Sequence, residues 1–438
     1  MLDIRLIRQK PEWVKERLAT RGEGAESRID EILQLDQQRR KWLSEAESLQ
    51  AQRKRVSKEI GALMAQGKKE EAEARKAEGR RLGDQVEELN RRVRELEERQ
   101  QELMAWIPNL PHESVPIGPD ASGNVVVRQW GQPPSFSFEP RTHIELCESL
   151  GLIDFRRGAK ITGSGFVLFT NWGARLERAL IQFMLDLHTQ EHGYIEVSPP
   201  YIIHRHCMFG VGQFPKFEDQ AYAVQEGLDQ STLGKWYLLP TAEAPVANIH
   251  REEILREEDL PRCYVAYSPC FRAEAGAAGV GTRGLIRVHQ FDKVELIRVV
   301  HPDRGYEELE RMVQHAETVL QRLGLHYRVV LLCTGDLGFA SAKTYDIEVW
   351  APGQKEYLEV SSCSNCEDFQ ARRMALRFKD RATKQNRFPH VLNGSGVALA
   401  RLFVALVETY QQPDGSVVIP EALRPYLGIE RITPSSSS

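Results

Sequence analysis

Residues 270–296 read CFRAEAGAAGVGTRGLIRVHQFDKVEL. The stretch is read as two strands joined by a glycine-rich loop. The first strand is expected over 270–275, just after Pro269, and the second over 285–297. Side chains of a strand alternate between its two faces. Ile286, Val288, Val294 and Leu296 would then share one face, and Arg287, His289, Phe291, Lys293 and Glu295 the other. Gly276, Gly279, Gly281 and Gly284 permit positive φ and a close approach of ligand to backbone. Arg272, Glu274, Arg283, Arg287 and Glu295 crowd onto the hairpin. Arginines and glutamates beside a glycine loop suit a polyanion. On the residues alone, an ordinary solvated charged hairpin fits equally well.

The rest of the 438-residue chain sets bounds on that reading. Its length allows two or three domains. With 41% hydrophobic and 27% charged residues it has a globular composition. It has no apolar run of about 18 residues, so no membrane span is expected. The N-terminal residues carry Asp3, Glu12 and Glu16 and no apolar core segment, which fits neither a signal nor a transit peptide. Seven cysteines, an odd number, favour a reducing cytoplasm over a disulfide framework. A net charge of −4 means that any nucleic acid must be met by local basic patches.

N-terminal to the hairpin, residues 1–20 read as a short helical unit, with Pro11 near a helix start. A heptad region follows. Leu35, Trp42, Leu49, Val56 and Leu63 recur every seventh residue, interleaved by Ile32, Ala46 and Ile60. Gly67-Lys68-Lys69 interrupts the pattern, and Leu82, Leu89, Leu96 and Leu103, with Val86, Val93 and Ile107, resume it up to Pro108. Two helices of about 35 residues, each roughly 50 Å long, are expected to fold back as an antiparallel coiled-coil hairpin. Residues 30–105 carry 17 basic and 17 acidic side chains, so the arm is neutral overall. Its basic clusters are 39–41, 53–55 and 80–81. A spacer or dimerisation coil and an RNA-binding arm both fit these residues. The boundaries expected are an arm domain over 1–107 with the hairpin at about 30–107, a proline-rich linker over 108–140 seated by Phe136 and Phe138, a second domain over 141–430, and a serine-rich tail over 431–438.

Within the second domain a helix is expected at 142–149, an apolar strand at 166–169 and an amphipathic helix at 174–188. Residues 193–200, GYIEVSPP, run extended. Thr241 and Glu243 of LLPTAEAPV lie at a helix start, where a threonine hydroxyl accepts from backbone. After the opening hairpin come a helix at 303–323 and strands at 327–333, 345–350 and 355–362, the last with Glu359 near its end. A carboxylate there is either solvated on the outer face or, if buried, paired or metal-bound. Residues 393–408 read as a glycine-rich turn packing an amphipathic helix onto a sheet. His192, His204, His206 and Cys207 match no zinc spacing, and Cys363-x-x-Cys366 lacks a second pair, so no zinc is expected. No Walker A or dinucleotide-binding glycine pattern follows a strand.

The string F-R-x-E at 271–274, then R-G-L-x-R-V-H-Q-F at 283–291, resembles motif 2 of the class II aminoacyl-tRNA synthetases, in detail that of the bacterial-type seryl-tRNA synthetase family. The helix and proline-ended strand at 174–200 resemble motif 1, and N-G-S-G at 393–396 with Arg401 resembles motif 3. The coiled-coil arm, T-A-E at 241–243, E-V-S-S at 359–362, S-C-S-N-C at 362–366 and R-P-Y-x-G at 424–428 carry the same resemblance, which runs over residues 1–428. It implies an α+β fold, with a mostly antiparallel sheet flanked by helices, and a homodimer built on motif 1. The activity implied is ATP-dependent activation of L-serine to seryl-adenylate, then transfer to the 3′ end of tRNA(Ser) gripped by the arm.

By that resemblance Arg272 and Arg401 are catalytic. Serine is held by Thr241, Ala242, Glu243, Arg272, Glu295, Asn393 and Ser395. ATP is held by Arg272, Ala273, Glu274, Val288, Phe291, Glu359, Val360, Ser361, Ser362 and Arg401, with Mg²⁺ on Glu359 and Ser362. The chain departs from the family pattern at Val211, Gly281 and Ala400, where threonine, an acidic residue and glycine are usual. Three other readings stand beside it: a class II synthetase for threonine or proline, a tRNA-independent amino-acid ligase, and a non-catalytic coiled-coil scaffold. The arm, T-A-E and Ser395 speak against the first, the arm against the second, and the presence of Arg272, Glu295, Glu359 and Arg401 against the third.

Overall fold

The computed structural model describes residues 1–225, 234–274 and 284–434. The chain divides into two compact units, one of Leu2–Ala19 with Glu23–Pro108, the other of Met1, Thr20–Gly22 and the chain from Asn109 onward.

The first unit begins with short helices Ile4–Gln9 and Pro11–Ala19. Two long helices follow, α1 (Ile29–Ala65) and α2 (Lys69–Ala105), each of 37 residues. They run antiparallel and meet along the heptad seam. Ile32, Ala46 and Val56 of α1 are buried, as are Leu82, Val86, Leu89, Val93 and Leu103 of α2. The turn between them places Gly67 at φ 78°, a left-handed value that glycine adopts without a Cβ clash. Asp36 is buried on α1 and bonded by Arg8 at 2.9 Å, a polar contact that the heptad pattern does not announce.

The second unit is built on an eight-stranded sheet. Its strands are β1 (Val125–Trp130), β2 (Ile195–Glu196), β3 (Arg262–Phe271), β4 (Gln290–Val300), β5 (Tyr327–Leu331), β6 (Lys343–Ala351), β7 (Glu356–Asn365) and β8 (His390–Ala398). Their order across the sheet is β1-β5-β6-β7-β8-β4-β3-β2. Every neighbour is antiparallel except β2, which runs parallel to β3. Helices α3 (Asn171–Gln190), α4 (Gly305–Arg322) and α5 (Leu399–Thr409) supply the apolar side chains of the main core. On β4, Val294 and Leu296 enter that core. Ile297 and Val299 join a second apolar cluster with Phe214, Tyr237 and Phe378.

Several sequence expectations need correction. The opening hairpin is displaced: its ladder runs from Arg262↔Val299 to Phe271↔Gln290, so the first strand lies earlier and the second begins at Gln290. Residues 285–289 form turns and bends instead of strand. They are held by other partners: the Leu285 amide donates to His143 Nε2 at 3.2 Å, and the His289 amide donates to the Gly165 carbonyl at 2.9 Å. Gly276, Gly279, Gly281 and Arg283 fall outside the described residues. Residues 166–169 make no strand, with one isolated bridge from Phe169 to Ile153. The glycine-rich stretch from Asn393 is no turn; it lies inside β8. A Cβ at Gly394 would stand 2.7 Å from Cys363 Sγ and 2.9 Å from Met312 Sδ, so glycine is there to let elements approach. Inside the expected linker, Val125–Trp130 forms edge strand β1 and Val115 is buried against Val330 and Leu332. At the expected tail, Arg431–Ile432 pairs with Val417–Val418.

Candidate active site

A cavity of about 460 Å³ opens on the sheet between β4, β7 and β8. Period-2 geometry aims Phe291, Lys293 and Glu295 of β4 into it, while Val294 and Leu296 point away to the core. From β8 come Asn393, Ser395 and Ala398, and from β7 Glu359, Val360 and Ser362. Arg272 and Glu274 follow directly on β3, and Arg401 stands in the first turn of α5.

One end of the cavity is densely polar. Glu295 is buried and ion-paired with Lys293, which is also buried. Lys293 Nζ donates to Thr241 Oγ1 at 2.9 Å, and Thr241 Oγ1 donates to Glu295 at 3.0 Å. The Glu243 amide donates to the same Thr241 oxygen at 3.2 Å, at the start of helix Glu243–Ala247. Glu243 accepts from the Gln370 amide at 2.7 Å. Burial, and then the charge of Glu295, push its carboxyl up to about 7.

The other end is formed by Ile286, Arg287, Val288, Phe291, Glu359 and Arg401. Arg401 Nε donates to the Ile286 carbonyl at 3.1 Å, and its Nη1 donates to the Glu359 carbonyl at 3.0 Å and to Glu359 Oε2 at 3.4 Å. Glu274, at φ 48°, is ion-paired with Arg287. Between the ends, the Arg272 guanidinium lies 5.1 Å from the Phe291 ring centroid, and its Nε donates to the Pro240 carbonyl at 3.3 Å. Below Glu359, Asp346 pairs with Ser362 across the β6–β7 ladder. Its Oδ1 is buried without a hydrogen-bond partner among the described residues, and burial with the charge of Glu359 holds its carboxyl well above the usual range.

Thirteen nominated residues thus line one cavity. Three do not. Ala242 is buried in the second apolar cluster. Ala273 is tied by its amide to the Gln220 carbonyl at 3.0 Å. Ser361 points inward, its Oγ donating to the Ser395 carbonyl at 2.5 Å. The ligand sets that the resemblance implies leave out Gln213, Lys293 and Arg287, the last already among the charged residues of the hairpin, and all three line the cavity. It also missed His143, which reaches Leu285 from 142 residues away and whose Nδ1 is 3.2 Å from Glu408. Among the described residues, no group of three or more His, Cys, Asp or Glu side chains is arranged to hold a metal ion.

The "Seryl-tRNA synthetase N-terminal domain" matches residues 1–111, and the "tRNA synthetase class II core domain (G, H, P, S and T)" matches residues 222–410. A serine--tRNA ligase of Carboxydothermus hydrogenoformans is 53% identical over 432 residues, 99% of each chain. The chain belongs to the seryl-tRNA synthetase family. A serine--tRNA ligase of Akkermansia muciniphila is likewise 53% identical, over 100% of both chains. Among solved structures, the seryl-tRNA synthetase of Pyrococcus horikoshii complexed with ATP superposes with a TM-score of 0.92 at 39% identity, covering 100% of each chain. The cytoplasmic enzyme of Naegleria fowleri in complex with AMP gives 0.87 at 29% identity. The α+β class II fold with its helical arm is therefore that of the family, and the activity is that of a serine--tRNA ligase. No described helix is long and apolar enough to cross a membrane.

Proposed function

We propose that the cavity activates L-serine with ATP and then passes the seryl group to the 3′ end of tRNA(Ser). The single observation that carries this reading is the convergence of Thr241, Glu243, Arg272, Glu295, Ser395, Glu359 and Arg401 on one cavity with two chemically distinct ends. In the first step the serine carboxylate attacks the α-phosphate and pyrophosphate leaves. Two anions must be brought into line, so positioning and charge neutralisation do most of the work. Arg272 stands between the ends, where a planar guanidinium can bond a carboxylate and a phosphate at once. Glu295, Thr241 and Ser395 receive the serine hydroxyl and Glu243 the ammonium. A site built to bond a hydroxyl leaves its own buried groups unpaired with alanine or glycine, which gives selectivity.

At the other end Phe291 and Arg401 sandwich adenine, an aromatic face opposite a cation. Glu274 and the Val288 backbone take the adenine edge. Glu359 and Ser362 would hold Mg²⁺, since an all-oxygen set suits a hard cation and the Asp346 Oδ1, across the ladder from Ser362, is a buried oxygen without a hydrogen-bond partner among the described residues. When bound, that ion supplies charge neutralisation at phosphate oxygens. The α1–α2 arm takes the tRNA, through exposed basic clusters such as Arg53-Lys54-Arg55. A homodimer across the α3–β2 face is supported by the half-exposed Ile195 of β2. Cytoplasmic placement is supported by seven free cysteines.

The test is amino-acid-dependent ATP–pyrophosphate exchange with Mg²⁺ and no tRNA, across the standard amino acids. Exchange with serine alone is expected. Exchange with another amino acid would overturn the pocket reading, and no exchange would point to a scaffold.

A further inference from the structure

β8 leaves its ladder with β4 in the middle of the site. Ser395 pairs with Glu295 and Ala398 with Lys293, so three steps along β8 span two along β4. Gly396 and Val397 therefore lie in a bulge, outside the regular pairing. Buried backbone groups released from a ladder need other partners. One helix supplies both. His188 Nε2 donates to the Gly396 carbonyl at 2.9 Å, and the Val397 amide donates to Met184 Sδ at 3.1 Å. Met184 and His188 are one helical turn apart on α3 and wholly buried.

The tautomer of His188 follows from its contacts. Nε2 carries the proton given to the carbonyl, so Nδ1 accepts from His192 Nδ1, 2.9 Å away. Burial lowers the His188 pKa to about 4, which keeps this neutral form at physiological pH. The fit allows glycine alone: a Cβ on Gly396 would stand 2.6 Å from His188 Nε2.

The bulge separates the residues of the two cavity ends. Ser395 precedes it on the polar side. Ala398, opposite Lys293, follows it, and then Arg401, whose guanidinium reaches the Ile286 carbonyl and Glu359 at the other end. We propose that His188 is a positioning residue for the reaction: by holding the Gly396 carbonyl it fixes the offset between Ser395 and Arg401, and so the spacing of bound serine from bound nucleotide. Without the clamp the bulge can relax toward regular pairing, and a one-residue shift in a strand turns side chains to the opposite face. Each end would survive on its own, but their relative placement would not. This rests on the assignment of the two ends to serine and ATP.

The experiment compares the full-length wild type with His188→Met, which removes the donor, and His188→Gln, which keeps an N–H at similar reach. Three ligands are titrated calorimetrically: serine, ATP, and a non-reactive seryl-sulfamoyl adenosine that spans both ends. Exchange rates and Tm are measured alongside. For His188→Met, serine and ATP are expected within about threefold of wild type, with the spanning ligand at least about tenfold weaker and exchange reduced in proportion, as loss of one positioning contact implies. His188→Gln is expected to restore both at a similar Tm. If His188→Met does not fold, Met184→Leu, close in size and without the sulfur acceptor, carries the same comparison. Loss of the spanning ligand no greater than the product of the separate losses overturns the proposal, as does equal damage in His188→Gln. A wild type that binds neither serine nor the spanning ligand would instead overturn the assignment of the cavity itself.

Discussion

Glu243 and Glu295 place two carboxylates at the same buried end of the cavity, and they are treated differently: Glu295 is ion-paired with Lys293, whereas Glu243 accepts from the neutral Gln370 amide. The second carboxylate is thereby left to hold its proton up to about pH 7, through burial first and the charge of Glu295 second. A substrate ammonium bonds the carboxylate and not the acid. The serine KM should therefore fall as pH rises toward 7, by about tenfold per unit below that point, and level off above it. Stability has the opposite sense. The unfolded chain releases this proton near 4.5 and the folded chain near 7, so this group's contribution to stability falls as pH rises between those values. Glu243→Gln should remove the pH limb from serine KM and raise Tm at pH 8 more than at pH 4.5, measured by exchange kinetics and thermal melts.

Arg272 is held in place by the Pro240 carbonyl and the Phe291 ring before any substrate arrives. Arg272→Lys keeps the charge and loses the planar fork. Serine-dependent exchange is expected to drop about a hundredfold or more, with Tm little changed. A drop of less than about threefold would show that the guanidinium does not bridge the reacting groups.

Glu359 has its side-chain oxygen 3.4 Å from Arg401 Nη1 and faces the cavity. Glu359→Gln should raise the Mg²⁺ concentration needed for half-maximal exchange by about ten- to a hundredfold. Ser362→Ala should move it in the same direction. Unchanged Mg²⁺ dependence in both would remove these residues from the ion's binding set.

Arg53, Lys54 and Arg55 are exposed on α1. Reversing all three to Glu should raise the KM for tRNA by about tenfold or more at low salt and flatten its salt dependence. Serine-dependent exchange should stay within about twofold of wild type. Equal loss of exchange and charging would mean that the change acts through folding.

Where sequence and structure agree, a regular period carried the information. The heptads of α1 and α2 place their own seam, and alternation along β4 alone puts Phe291, Lys293 and Glu295 on the cavity side. The site residues were named by short strings resembling a family, and thirteen of them converge. The misses share a different cause. Residues 285–289 look like strand but are held by His143 and Gly165, partners that no local window contains. The glycines of β8 look like a turn because the atoms that demand them, on Cys363, Met312 and His188, come from other elements. Alternation sets the side on which Lys293 lies, but its ties to Thr241, which comes from another element, are not in any local window.

The order of the strands has one more consequence. β7, β8 and β4, which carry most of the cavity, sit side by side in the interior of the sheet, with β1 and β2 at its edges. Sheets open from their edges and termini inward, and backbone amides in the interior exchange with solvent only through near-global unfolding. Amides of residues 294–297, 360–363 and 391–394 should thus be among the last to take up deuterium. On warming, catalysis should persist until the whole second unit melts, so the enzyme's failure is a single cooperative event and not a gradual loosening of its working parts.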